Sequence, residues 1–289
     1  MGIVGPTNSG KSTLVNTLVG QKVSIVSKRA QTTYHGVRGI LSLPEAQLVF
    51  TDTPGFQHHP ESVARLLNRV ADRNAKECDL LVWVFDASNP RAVYQIEKLK
   101  EKIAKHLPAE KSLCVLNKVD KIAKDGLLPM LERIHAMGIF SEIIPLSALK
   151  AKGTPGLVKC LLARLPEGPS MFPEDVVTDR PQQFLVSELV REKIYEVTRQ
   201  EIPYSVRVDI EEWDQTGKCP TIRAVIHVDA PSRKAILIGK GGNMLKEIGT
   251  KARADVEKMV GGQVCLKLHV TVEKDWKSDK PLLGRYLEL

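Results

Sequence analysis

No apolar run in this chain is long enough to cross a bilayer. The longest, Leu80-Leu81-Val82-Trp83-Val84-Phe85, falls far short of the roughly 20 residues a spanning helix needs. The first residues hold neither a charged segment followed by an apolar one nor an Arg/Ser-rich amphipathic stretch, so nothing points to export or organelle import. There is no C-x-x-C pair. The five cysteines (Cys78, Cys114, Cys160, Cys219 and Cys265) stand singly, which argues against a disulfide framework and fits small buried residues in a reducing compartment. A strong charge bias is also missing. A net charge of +8 over 289 residues is by itself weak ground for a nucleic-acid partner. Residues 233–258 are more basic, with seven Lys or Arg against three acidic residues, but such a run is commonly a solvated helix face and needs a motif beside it.

The length allows one or two domains with real cores, and 26% charged residues indicate a globular chain. Through the first half, strand-like apolar runs alternate with helical patterns. Strands are predicted at 2–4, 39–43, 47–52, 80–86, 113–117 and 142–146, and helices at 11–19, 62–77, 92–105, 127–137 and 157–165. This alternation predicts an α/β fold with a mostly parallel sheet and helices on both faces. Such sheets bind ligands beyond the carboxyl ends of their strands.

Four motifs fall at such ends. Gly5-Pro6-Thr7-Asn8-Ser9-Gly10-Lys11-Ser12 reads G-x-x-x-x-G-K-S, between a short strand and a helix. Glycines let backbone N–H groups close around phosphates, and the helix adds its positive end. Lys11 would reach the β- and γ-phosphates and Ser12 would hold Mg²⁺. Asp52-Thr53-Pro54-Gly55 follows the third strand; Asp52 would hold the metal's hydration shell and the Gly55 N–H would meet a γ-phosphate. Asn117-Lys118-Val119-Asp120 follows the fifth. The Asp120 carboxylate suits the paired donors of guanine, which adenine lacks, so an ATP-using enzyme fails on this residue. Asn117 and Lys118 would brace the loop and cover the base. Ser147-Ala148-Leu149-Lys150 follows the sixth, where backbone amides would meet the guanine oxygen. Between the first helix and second strand, Gln31-Thr32-Thr33-Tyr34 offers a threonine to complete the Mg²⁺ shell: Thr33, with Thr32 as the runner-up.

In this order, G-P-T-N-S-G-K-S, Q-T-T, D-T-P-G, N-K-V-D and S-A-L resemble a translation-factor-class small GTPase, and V-S-I-V-S-K-R-A-Q-T-T is similar to the Era family in particular. The family usually has Arg, Pro and Val where this chain has Pro6, Thr7 and Ser9, and Arg where it has Tyr34. It also usually carries more residues before the loop. Phe56 stands where Ras-like GTPases place a water-orienting Gln, so slow intrinsic hydrolysis is expected. Asn8 matches the asparagine of potassium-stimulated GTPases and would help hold K⁺ beside the phosphates. Lys11, Thr33, Gly55 and Asn8 are the expected catalytic set.

The resemblance continues into the second half. Residues 166–181 hold four prolines and a glycine and read as a linker, giving a nucleotide-binding domain at 1–166, a linker at 167–181 and a second domain at 182–289. A helix at 182–201 with an apolar stripe, strands at 205–213 and 221–228, a short helix at 232–238, Gly239-Lys240-Gly241-Gly242, a basic helix at 243–259 and a strand at 264–272 resemble a type II KH domain. The glycine loop would clamp RNA phosphates. Ile238 and Ile248 would floor a groove for bases, and Lys240, Lys246 and Lys251 would neutralise phosphate. The tail from Lys274-Asp275-Trp276-Lys277 reads equally as RNA contact or as a packed surface helix.

The resemblance implies a GTPase switch that uses GTP, GDP and Mg²⁺. It implies single-stranded small-subunit ribosomal RNA near its 3′ end as cargo, and a role in small-subunit assembly. A cytoplasmic monomer is expected, with peripheral association at the inner face of the cell membrane as a further option. The rival is a signalling or membrane-associated GTPase whose second domain binds protein, favoured by the modest charge of the second half.

Overall fold

Strands covered by helices on both faces must be apolar along their whole length. Leu81–Asp86 (β4) and Ser112–Asn117 (β5) meet that demand: Leu81 through Phe85 are fully buried, and so is every residue of β5. The computed structural model describes residues 1–27, 36–55, 78–106, 109–198, 202–217 and 219–274. It separates into two compact units, Met1–Asp179 and a second beginning at Arg180. The expected helix at 62–77, the loop threonines Thr32 and Thr33, Phe56 and the tail from Asp275 lie outside the described residues.

The first unit builds a six-stranded sheet in the order β2-β3-β1-β4-β5-β6. The other strands are Gly2–Val4 (β1), Val37–Leu43 (β2), Ala46–Asp52 (β3) and Glu142–Pro145 (β6). β2 runs antiparallel to β3, and the remaining pairs are parallel. The helices are Lys11–Val19 (α1), Ala92–His106 (α2), Lys124–His135 (α3) and Thr154–Leu162 (α4). α3 and α4 each begin three residues before the sequence pattern suggested. Apolar spacing is blind to a polar first turn, and in α4 that turn follows Gly153 in the left-handed region and holds a proline.

Residues 166–181 contain no helix or strand, yet they are pinned to the β2–β3 hairpin. The Gln47 amide oxygen accepts from the N–H groups of Met171 and Phe172, both at 2.9 Å, and its nitrogen donates to the Phe172 carbonyl at 2.9 Å. The Ile40 N–H donates to the Val177 carbonyl at 2.8 Å, and Arg38 pairs with Asp179 at 2.9 Å.

The second unit packs Gln182–Val197 (α5), Pro231–Ile238 (α6) and Asn243–Val260 (α7) on a three-stranded sheet. Its strands, Val206–Asp214 (β7), Thr221–Val228 (β8) and Cys265–Val272 (β9), lie in the order β7-β8-β9, with β7/β8 antiparallel and β8/β9 parallel. Val190 and Ile194 of α5 meet Ile248 and Ala252 of α7 and Val206, Ile226 and Val270 of the sheet in one core. Lys193 bridges the two long helices, reaching Asp255 at 2.9 Å.

Candidate functional site

The carboxyl ends of β1, β3, β4 and β5 bring the motifs of the first unit together, and Asn117 ties them. Its Nδ2 donates to the Ser9 carbonyl at 2.9 Å, and its Oδ1 accepts from the N–H of Lys118 at 2.8 Å and of Ala148 at 2.9 Å. One 2% exposed side chain therefore holds the phosphate loop, the N-K-V-D turn and the S-A-L turn. Its approach requires glycine at position 10: a Cβ there would lie 2.2 Å from Asn117 Nδ2, and Gly10 has φ 96°. The D-T-P-G turn is fixed from the other side. Thr53 Oγ1 donates to the Ile3 carbonyl at 2.8 Å, and a Cβ on Gly55 would sit 2.8 Å from Thr7 Cα. Gly55 thus backs directly onto the phosphate loop, where Pro6 and Thr7 stand.

The loop offers a cradle for an anion. Lys11, 6% exposed, donates to the carbonyls of Gly5 at 3.2 Å and Pro6 at 2.9 Å. Burial lowers its pKa to about 8, with Asp52 pulling the other way. An ammonium so poorly solvated gains from a phosphate placed among the same backbone groups. Ser12 follows it in the first turn of α1, and Asp52 is fully buried at the end of β3. A hydroxyl and a carboxylate are the oxygen donors that suit Mg²⁺.

Asp120 and Val119 form a short 3-10 turn after Lys118, which is itself in the left-handed region at φ 65°. A hydrogen bond from Ser147 first, then the charges of Lys150 and Lys121, hold the Asp120 carboxyl below the usual carboxylate range despite some desolvation. It is therefore an anion ready for two guanine donors. Leu149 is 78% exposed beside it. α1 is also tied to this wall, since Thr17 Oγ1 donates to the Ala148 carbonyl at 2.9 Å. Sequence reasoning passed over Thr17. It also passed over Asp86, at the end of β4 opposite Asn117 in register, although the carboxyl edge of a central strand was the signal available.

In the second unit the G-K-G-G turn joins α6 to α7 with Gly239, Gly241 and Gly242 all at positive φ (73°, 62° and 78°). A groove of about 380 Å³ runs along the adjoining face of α7, lined by Gly242, Leu245, Lys246, Gly249, Thr250 and Arg253, with Leu266 and Leu268 of β9 opposite. Lys246, on the groove's lining, and Lys240, in the glycine turn, are both exposed. The expectation for Ile248 is corrected: it is fully buried in the core and has no surface to offer a base. Ile238 is partly buried against the same core. Lys251 is exposed on another face and pairs with Glu247 at 2.9 Å. Gly242 and Lys246 were expected; Leu245, Gly249, Thr250 and Arg253, missed from sequence, continue the helical spacing of those two, the 242, 245/246, 249/250, 253 series, which is a legible signal.

Replacing Asn117 by Ala strands a buried carbonyl on Ser9 and a buried N–H on Ala148. Each orphaned group costs about 1–3 kcal/mol. A loss of roughly 2–5 kcal/mol in unfolding free energy is therefore expected by urea titration. A change below about 0.5 kcal/mol would mean that the three loops are held by something else.

Comparison with known proteins agrees with this architecture. Residues 1–118 match the family model of the 50S ribosome-binding GTPase, and residues 201–277 match the KH domain. The GTPase Era of Syntrophus aciditrophicus (strain SB) is 41% identical over 99% of this chain and 93% of its own length. Among solved structures, a variant of Aquifex aeolicus Era bound to GDP and AlF4⁻ is 39% identical, with a TM-score of 0.90 over 99% of this chain and 97% of that one. An Era in complex with MgGDPNP and nucleotides 1506–1542 of 16S ribosomal RNA is 38% identical, with a TM-score of 0.91 over 99% and 96%. With likeness at this level running the length of both units, the chain belongs to the Era family of GTPases.

Proposed function

We propose that this chain binds GTP with Mg²⁺ in its first unit, hydrolyses it to GDP and phosphate, and carries single-stranded small-subunit ribosomal RNA near its 3′ end in its second. On this reading it acts in assembly of the small ribosomal subunit. The observation that carries the reading is the likeness, through both units, to an Era solved with a magnesium-bound GTP analogue and a 16S ribosomal RNA segment. Gly5 to Ser12 cradle the phosphates and Lys11 offsets their charge. Ser12, Asp52 and Thr33 hold the metal. Asp120, braced by Asn117, selects guanine with the Ser147–Leu149 turn. GTP orders Thr33 and the Asp52–Gly55 turn, and hydrolysis releases them. We take 1–166 as the nucleotide domain, 167–181 as a linker and 182–289 as the RNA domain. The protein is proposed to be a cytoplasmic monomer that also meets the inner face of the membrane peripherally. Among the described residues no helix is long and apolar enough to span one.

RNA binding is assigned to Gly239–Gly242, the N-terminus of α7 and the adjoining groove. Phosphates approach the glycine backbone and the positive helix end, while unstacked bases meet Leu245, Leu266 and Leu268. The decisive experiment is the double variant Lys240→Asp, Gly241→Asp in the full chain. RNA binding should be lost and GTP binding kept, with wild-type RNA affinity falling as salt rises. Survival of RNA binding would place the clamp elsewhere, and capture of a protein instead of RNA by the native chain would favour the signalling reading.

Guanine choice is tested at Asp120. Asp120→Asn sets an amide donor against donors on the base. Charge-assisted hydrogen bonds of about 1.5–3 kcal/mol each imply GTP binding weakened by at least about tenfold and a shift toward xanthosine triphosphate. Unchanged GTP affinity would sink the assignment.

Hydrolysis without a glutamine at Phe56 is expected to be slow, with K⁺ held by Asn8 partly meeting the transition-state charge. Turnover should be faster in KCl than in equal NaCl, and Asn8→Asp should abolish the difference. Equal rates in the two salts would refute the potassium role.

A further inference from the structure

The ammonium of Lys118 makes two short contacts. It donates to the backbone carbonyl of Asn8 at 2.6 Å and to Asp86 Oδ2 at 2.7 Å. Asp86 is in turn oriented, because its other oxygen accepts from the Ser88 N–H at 3.0 Å and the Ser88 hydroxyl at 2.6 Å. β4 and β5 are locked at this level, with Asp86 opposite Asn117 in register and the Ala87 N–H donating to the Asn117 carbonyl at 2.8 Å. Lys118 thus joins the end of β4, the phosphate loop and the base-selecting turn through one side chain.

We propose that Asp86 is a positioning residue for the nucleotide site, acting through Lys118 to clamp the base-selecting turn onto the phosphate loop and so to slow nucleotide release. Three observations support it. Lys118 sits in the left-handed backbone region, uncommon for a residue with a Cβ, so its orientation needs anchors beyond its own backbone preference. The carboxylate supplies a charged anchor where the Asn8 carbonyl alone supplies a neutral one. With its head held at both ends, the Lys118 stem is kept in one conformation, ready to cover a bound base. Burial pushes the Asp86 carboxyl upward, but the hydrogen bonds from Lys118 and Ser88 outweigh it and keep it ionised.

The inference rests on the reading of the first unit as a guanine-nucleotide site, which equilibrium GDP binding by the native chain tests separately. The experiment is release of a fluorescent GDP chased by excess GDP in the full chain. Asp86→Asn keeps the side-chain size and removes the charge. It should release GDP about tenfold faster, a figure at the low end for a charged hydrogen bond because both partners are partly exposed. Asp86→Glu restores a carboxylate and should fall between the two. In a Lys118→Met background, which keeps the stem and removes the ammonium, Asp86→Asn should add nothing further. Unchanged release in Asp86→Asn overturns the proposal. So does the same acceleration in the Lys118→Met background, since Asp86 would then act through its own turn with Ser88. If Asp86→Asn does not fold, the Asp86→Glu variant, alone and with Lys118→Met, decides by the same two comparisons.

Discussion

Three loops that are distant in sequence meet because one buried amide satisfies groups from all of them. The Asn117 side chain bonds Ser9, Lys118 and Ala148, and no apolar residue of similar size could replace it without leaving a buried N–H and a buried carbonyl unpaired. The amide has both a donor and an acceptor end, so it fixes loops of opposite demand at once. The phosphate loop is thereby referenced to the N-K-V-D turn, and the spacing between the two loops is set by the protein before any ligand arrives. That preorganisation is what lets binding energy go into contacts with the ligand rather than into ordering loops.

A second layer of constraint is electrostatic. Lys11 and Lys118 both lie near backbone carbonyls of the phosphate loop, yet they are treated differently. Lys11 is almost dry, and its ammonium is weakened by that burial. Lys118 is partly solvated and held by a carboxylate. The first arrangement leaves a nearly dry cation that the charge of Asp52 only partly offsets, which suits a ligand that brings phosphates. The second leaves a cation already neutralised, which suits a structural tie. The two roles follow from burial and partners, not from residue type.

On the proposed reading the second unit meets a different demand, since an RNA strand needs an open surface and not a closed pocket. α7 has two apolar faces. Ile248, Ala252 and Val256 are fully buried, the first two among the helices and sheet of the main core. Leu245, with Gly249 keeping the helix thin, looks onto Leu266 and Leu268 of β9 and leaves a groove between them. On that reading Lys246 on its lining would supply charge for phosphates, and the leucines apolar surface for bases.

Much of this was legible in the residues themselves. The β/α alternation, the four motif loops and the glycine turn between two helices are local patterns, set by side-chain period and by positions that only glycine occupies easily, and the sequence by itself determined them. It also carried the expectation that Asp120 selects a base, because the motif follows a buried strand. It could not tell which of two apolar positions three residues apart on α7 faces solvent, and it put Ile248 in the groove where Leu245 stands. Nor could it place Asp86 against Lys118, 32 residues away, or lay residues 171–179 along the β2–β3 hairpin. Those choices were made by the tertiary structure. Helical spacing defines a face but not its neighbour, and an ion pair across two strands exists only once their register is set.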